Sequence, residues 1–83
     1  MIIRSQDKKS ITDDLNLYID DYNQEGYSIC NSKMDNLGTY STEEKAIKVL
    51  DMIQEHYDKV IDARYWNDTY QDNYFQMPQD SEV

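Results

Sequence analysis

Apolar residues recur at helical spacing in one long stretch of the chain, residues 41–64. Ser41 stands where it can cap the first turn, and Glu44, three residues later, can reach back to the N–H group of the cap residue. The positions that follow at steps of four, three, four and three are Ala46, Leu50, Ile53, Tyr57 and Val60, widened by Ile47 and Ile61. Because this is the period of one side of an α-helix, the pattern predicts a long helix whose apolar side the rest of the chain covers.

The first forty residues carry the shorter alternation of apolar and polar positions that is typical of β-strands. The predicted strands cover residues 1–4, 15–20, 27–32 and 37–40. The polar stretch 6–14 between the first two predicts a loop, with Ile11 turned inward. Turns are predicted at 23–26, where Gly26 permits a left-handed conformation, and at 34–36. Connections of this length predict an antiparallel β-meander of about four strands that packs one face on the helix.

Together these patterns predict one α+β domain over residues 1–83. A short aromatic segment, Tyr74 to Met77, reads as an edge strand or a docking tail that Pro78 stops. The predicted parts are a β-meander over 1–40, the main helix over 41–64, an aromatic arm over 65–78 and a frayed tail over 79–83.

The composition changes this picture in one respect, because aliphatic side chains are scarce. Leu, Ile, Val and Phe together make up 16 of 83 residues, about 19%, which is near the range expected for disordered chains. Eight tyrosines, four methionines and one tryptophan add apolar area. A domain of this size buries only roughly 60–65% of its unfolded surface. We therefore expect it to gain stability by forming a homo-oligomer.

The charge of the chain restricts its partners. The formal net charge is −9, of which −6 falls on residues 42–83. This charge argues against direct binding to nucleic acid or to anionic membranes. A basic partner, mimicry of nucleic acid and simple solubility all remain compatible with it. The absence of a long apolar run and of a signal peptide predicts a cytoplasmic protein, with no internal disulfide because Cys30 is the only cysteine.

The sequence offers no recognisable catalytic or metal centre. His56 is the only histidine and has no nucleophile or further ligand at a recognisable spacing, so we expect a partly exposed helical histidine. Cys30 alternates onto a strand face without neighbouring positive charge, which predicts a buried, unreactive thiol. The two glycines lie twelve residues apart, so there is no glycine-rich phosphate loop. We therefore predict a binding protein without cofactor, catalytic residues or metal.

One cluster remains that can bind something. Five aromatic side chains fall within residues 65–75, directly after Arg64, one of only two arginines. The rings can complete a core that is short of aliphatic residues. They can form a contact between copies of the chain, where Tyr, Trp and Arg are enriched. They can also stack on a flat ligand such as a nucleobase while an arginine binds its phosphate.

Three stretches carry a resemblance to a group of proteins. Residues 1–8 (MIIRSQDK), 37–46 (LGTYSTEEKA) and 75–78 (FQMP) resemble small proteins of phages and prophages of Gram-positive bacteria. The layout of a small sheet, a helix and a C-terminal segment also resembles the anti-Thoeris sponge proteins of phages. That resemblance implies tight binding of a cyclic ADP-ribose-type or cyclic oligonucleotide immune signal without cleavage, through aromatic stacking and arginine, in the cytoplasm of the infected bacterium.

These observations lead to a first hypothesis and two alternatives. The first is a phage anti-defence protein that sequesters a nucleotide-derived signal. The second is an acidic inhibitor that mimics nucleic acid or masks a basic groove of a host defence nuclease, as anti-CRISPR proteins do, and the third is a ligand-free homo-oligomeric interaction module. The candidate ligand-binding residues are Arg4 and Arg64 for phosphates, Trp66, Tyr74 and Phe75 for stacking, and Asn73 and Gln76 for base edges.

Overall fold

In the described part of the chain, six strands form two small sheets that share a core with one long helix. The computed structural model describes residues 1–21, 26–65 and 74–83, without the side chains of residues 62–65. Within these ranges the predicted α+β class is confirmed. The elements are β1 (Ile2–Arg4), β2 (Ile11–Thr12), β3 (Tyr18–Asp20), β4 (Tyr27–Cys30), β5 (Asn36–Tyr40), α1 (Glu43–Tyr65), β6 (Tyr74–Gln76) and a 3-10 helix at Asp80–Glu82.

The predicted meander is present as the antiparallel sheet β3–β4–β5. Ile29, in its central strand, is fully buried and lies opposite Ile19 on one side and Gly38 on the other. The buried side chain of Asn31 shapes the β4–β5 reversal, because its Oδ1 accepts hydrogen bonds from the N–H groups of Lys33 and Asp35. Three of the four turn residues predicted at 23–26 lie outside the described residues.

The first strand does not belong to this meander but to a second sheet, in the order β2–β1–β6. β1 pairs antiparallel with β2 and parallel with β6, over seventy residues later. The prediction that 6–14 is a loop was wrong at β2, and Ile11 is 65% exposed rather than turned inward. Ile11 lies opposite Arg4, whose side chain is also exposed, so both belong to the side of the sheet that faces away from the core.

The helix begins one residue later than the predicted cap implies. The cap residue is Thr42 rather than Ser41. The Oγ1 atom of Thr42 accepts a hydrogen bond from the N–H of Lys45 at 3.2 Å, and its carbonyl accepts the first helical hydrogen bond. Ser41 instead donates from both its N–H and its Oγ to the Asp80 carboxylate. Because Ser41 and Thr42 are adjacent and both carry a hydroxyl group, the sequence alone does not show which of them caps the helix.

The buried side of α1 is rotated from the predicted stripe. Val49 is fully buried, although the predicted stripe did not include it. Leu50 is half-buried and Tyr57 is 40% exposed. The residues of α1 that are buried in the described structure are Ala46, Val49, Ile53 and Val60. Of these, Ala46, Val49 and Ile53 belong to one core cluster with residues of both sheets and with Met77, which follows β6. The residues from the sheets are Ile3, Ile29, Leu37, Tyr40 and Phe75.

Gln6 links the two sheets to each other and to the C-terminal segment. Its backbone N–H donates to the Leu37 carbonyl at 2.7 Å, and its Oε1 accepts from the N–H of Thr39 at 3.1 Å. Its Nε2 donates to the carbonyls of Thr39 and Pro78, both at 3.2 Å. The Gln6 carboxamide therefore satisfies backbone groups at the edge of β5 as a neighbouring strand would.

The last residues are held in place, which corrects the prediction of a frayed tail over 79–83. Besides its bonds from Ser41, Asp80 accepts a contact from Lys45, with Nζ and Oδ2 3.5 Å apart. The hydroxyl of buried Tyr40 donates to the Pro78 carbonyl at 2.8 Å. Burial raises the pKa of the Tyr40 phenol, so it remains a donor across the ordinary pH range.

Replacing Gln6 with Ala tests this link. The change removes three side-chain hydrogen bonds and leaves the edge of β5 partly unsatisfied, so we expect the free energy of unfolding to fall by about 2 kcal/mol. Urea denaturation followed by circular dichroism measures the loss. Gln54→Ala, at an exposed position of α1, is the matched control and should change stability by less than about 0.5 kcal/mol. Equal stability of the two variants would contradict the role assigned to Gln6.

The Asp80 contacts predict acid sensitivity. The hydrogen bond from the Ser41 N–H, with help from the Ser41 hydroxyl and Lys45, lowers the pKa of Asp80. A carboxyl group whose pKa is lower in the folded state than in the unfolded state stabilises the fold fully at pH values above its unfolded-state pKa. This stabilisation is lost as the pH falls through the folded-state pKa.

Asp80→Asn should therefore lower the urea midpoint at pH 7, and the difference from the original chain should shrink as the pH falls below 4. Asp51→Asn, which removes an exposed carboxylate of α1 away from Ser41 and Lys45, controls for the change in net charge. A difference between the Asp80→Asn variant and the original chain that stays constant down to pH 2 would refute this linkage.

Candidate ligand-binding face

The sheet β2–β1–β6 has one side in the core and one side in solvent. Because successive strand residues point to opposite sides, Ile3 and Phe75 enter the core while their neighbours point outward. We call this outward side the outer face. Its members are Ile2, Arg4, Ile11, Tyr74 and Gln76.

Arg4 is the cation of the outer face. Its Nε donates to the carbonyl of Lys8 at 3.1 Å, which orients the guanidinium from the end of β1. Lys8 has a positive φ of 66°, part of the tight β1–β2 turn. This turn is closed by the side chain of Asp7, whose pKa is lowered mainly by the hydrogen bond from the Ser5 hydroxyl. The hydrogen-bonded β1–β2 turn therefore orients the Arg4 side chain and leaves its two terminal nitrogens for contacts with a ligand.

Tyr74 and Gln76 lie beside Arg4 on the neighbouring strand. Gln76 is directly opposite Arg4, and Tyr74 is opposite Ile2. Arg4 and Tyr74 are thus diagonal neighbours, with Cα atoms roughly 8 Å apart from the spacing and rise of β-strands. The Tyr74 ring is 51% exposed. Long side chains span this distance, so a guanidinium and an aromatic ring can contact the same small ligand.

Gln76 is only partly available to read a base edge. Its Nε2 donates to the carbonyls of Ser5 and Met77, at 2.9 and 3.0 Å. These bonds fasten β6 to the strand beside it and use the donor side of the carboxamide. The oxygen Oε1 is the atom that Gln76 can offer to a ligand, as an acceptor.

Phe75 does not belong to the ligand-facing set, which corrects the prediction that it stacks on a base. Its side chain is in the core and only 9% exposed. Its ring meets that of His56 edge-to-face, with centroids 5.8 Å apart. The reason is strand alternation: Tyr74 points outward, so Phe75 must point inward.

The remaining predicted residues cannot be placed at this face. Trp66 and Asn73 lie outside the described residues. Arg64 belongs to the last turn of α1, but its side chain is also outside the described part. The site therefore rests on Arg4, Tyr74 and Gln76.

Two members of the outer face were not anticipated, Ile2 and Ile11. They are 38% and 65% exposed. Ile2 lies two residues before Arg4 on β1, and Ile11 lies opposite Arg4 on β2. The signal for Ile2 was present in the sequence, since consecutive Ile2 and Ile3 in a strand cannot both be buried on one side. Ile11 gave no such signal, because β2 has only two residues.

The other titratable residues considered for chemistry lie elsewhere. Cys30 is buried in β4, and burial, with a smaller effect of Asp20, raises the pKa of its thiol. His56 is half-buried on α1 against Phe75. Among the described residues, no group of three or more His, Cys, Asp or Glu side chains is placed to hold a metal ion.

A polar cleft of about 270 Å³ lies next to β5, and its side chains are used by the fold. Asn36 accepts from the N–H of Gly38 and donates to the hydroxyls of Ser28 and Thr39. Gln6 bonds the backbone of Thr39 as described above. We assign no ligand to this cleft.

Comparison with known proteins finds no matching family model, no matching curated protein and no matching solved structure. None of the described helices combines the length and the apolar composition that crossing a membrane requires.

The position of Cys30 predicts that its thiol does not react in the folded protein. Because its side chain is 5% exposed and burial raises the thiol pKa, Ellman's reagent at pH 8 should give less than a tenth of one thiol per chain within minutes. In 8 M urea the same assay should give one thiol per chain. Full reaction without urea would contradict the packing described here.

Proposed function

We propose that this protein is a non-catalytic binding protein that holds a nucleotide-derived signal on its outer face, as a phage anti-defence protein. The observation that carries the proposal is the exposed guanidinium of Arg4, fixed by the Lys8 carbonyl diagonally to the exposed ring of Tyr74. Arg4 supplies a group that can bind phosphate, and Tyr74 supplies a ring on which a base can stack. The two residues come from strands that are distant in sequence.

The orientation of Arg4 suits one kind of phosphate contact. Since Nε is used by the Lys8 carbonyl, the two terminal nitrogens are available for an end-on, two-pronged hydrogen bond to phosphate oxygens. A base or nicotinamide ring attached to that phosphate can then stack on Tyr74. The Oε1 atom of Gln76, opposite Arg4, can accept a hydrogen bond from an amino or hydroxyl group of the ligand.

The outer face is open, so a second surface must cover the ligand. Tight small-molecule sites bury most of their ligand, and a single sheet face covers only one side of it. We propose that a second copy of the chain supplies the other side. Ile2 and Ile11, exposed beside Arg4, offer apolar area for such a contact. The ligand then lies between two guanidinium groups, one from each copy.

The proposal assigns no chemical step to the chain. The two side chains with the strongest catalytic potential, Cys30 and His56, do not belong to the outer face. Binding alone removes the signal from its receptor. This setting also suits the cytoplasm of an infected bacterium, where the concentration of the signal decides whether defence begins.

Calorimetric titration tests the proposal with a panel of cyclic dinucleotides, ADP-ribose and cyclic ADP-ribose. One member of the panel should bind with measurable heat, and Arg4→Gln and Tyr74→Leu should each weaken that binding at least tenfold, about 1.4 kcal/mol. Light scattering should show two chains per particle in the complex.

Two variants from the other sheet serve as matched controls. Lys33→Gln removes an exposed cation of the β4–β5 turn, and Tyr18→Leu removes a strand tyrosine that is 42% exposed. Neither should change the affinity more than twofold. No heat with any member of the panel, or equal weakening by the control variants, would rule the proposal out.

A further inference from the structure

Helix α1 carries a second, mostly apolar stripe, in which Leu50 packs against the core while Ile47, Tyr57 and Ile61 remain exposed. It lies beside the buried stripe and follows the same steps of three and four residues. We call it the outer stripe; its members are Ile47, Leu50, Gln54, Tyr57 and Ile61. Ile47, Tyr57 and Ile61 are 45%, 40% and 41% exposed. Isolated exposed apolar residues are ordinary, but a row of them along four turns marks a surface that another molecule covers.

The outer stripe borders a groove. A cavity of about 390 Å³ runs between α1 and the segment that leads into β3. Leu50, Ile53, Gln54 and Tyr57 form its helical wall, and Met1, Leu15 and Leu17 form the opposite wall. The volume is in the range of ligand-sized clefts, about 300–1,000 Å³, and the lining is mostly apolar, with Gln54 as a polar member. Such a groove suits side chains inserted from a neighbouring helix.

The charges beside the groove identify the chemistry of the partner. Asp51 and Asp58 each follow a member of the outer stripe by one residue, about 100° further around the helix, and both are exposed.

The lysines of the helix do not offset this charge at the stripe. Lys45 contacts Asp80 near the start of α1. By helical geometry, Lys48 and Lys59 lie about 140–160° from the middle of the outer stripe, beyond the two aspartates. The exposed carboxylates of Asp51 and Asp58 therefore border the outer stripe on the side away from the core.

We propose that this groove docks a basic amphipathic helix of another protein. The apolar side chains of that helix enter the groove over Leu50 and Tyr57, and its lysines or arginines contact Asp51 and Asp58. A second copy of the chain fits this groove less well, because it would place its own Asp51 and Asp58 close to those of the first copy. The groove shares no residue with the outer face, so this surface does not depend on the ligand proposed above.

The probe for this inference is a synthetic 18-residue helix of leucines and lysines, with the leucines on one side. A scrambled peptide of the same composition, without that stripe, controls for charge alone. Fluorescence anisotropy at 150 mM salt should show at least tenfold tighter binding of the striped peptide. The double variant Ile47→Ser and Ile61→Ser should weaken that binding at least tenfold.

Met52→Ser is the matched control, because Met52 is 37% exposed on the opposite side of α1. The Met52→Ser variant should bind the striped peptide with the same affinity as the original chain. Asp51→Asn with Asp58→Asn should weaken binding and flatten its salt dependence. Circular dichroism of each variant confirms that the chain is folded.

Three outcomes would overturn the inference. The first is equal binding of the two peptides, and the second is unchanged binding after the double isoleucine substitution. The third is a dimer of the free protein that the double substitution dissociates in light scattering, since a second copy would then occupy the groove.

Discussion

The structure depends on one side chain that substitutes for a strand. The edge of β5 would otherwise present backbone N–H and C=O groups of Thr39 without a partner, beside the buried centre of the meander. Gln6 supplies a donor and an acceptor in the same geometry as a peptide group. Gly38 makes this approach possible, because a Cβ atom there would lie 3.2 Å from the Cβ of Gln6 and 3.3 Å from the Cε of Met77.

This link also positions the outer face. Gln6 lies two residues after β1, and its side chain donates to the carbonyl of Pro78, two residues after β6. The side chain of Gln79 donates back to the Gln6 carbonyl at 2.8 Å. The two strands that carry Arg4 and Tyr74 are therefore held in register by contacts at their ends as well as by their own ladder. A site assembled from residues seventy positions apart needs such bracing, since the ladder between them is only three residues long.

Sequence patterns predicted the elements that depend on local periodicity. They did not predict the pairing of strands that are distant in the chain. The helix, the meander and the buried thiol of Cys30 follow from spacing within short windows. The division into two sheets does not, because the parallel pairing of β1 with β6 leaves no local pattern. The role of Gln6 could not be predicted either, because Gln6 lies in a polar stretch without a periodic pattern. Phe75 is different: the alternation that separates adjacent strand residues would have assigned it to the core once Tyr74 was placed outside.

The distribution of apolar side chains supports two binding surfaces. Aliphatic residues are scarce in this chain, yet isoleucines are exposed at Ile2 and Ile11 on the outer face and at Ile47 and Ile61 on the outer stripe. A small domain gains stability by burying each such side chain, about 1.5–3 kcal/mol for a complete burial. Leaving four isoleucines exposed, in two groups, forgoes part of this stabilisation, and the partners proposed above would restore it. The high acidic charge keeps such a surface soluble while it is uncovered.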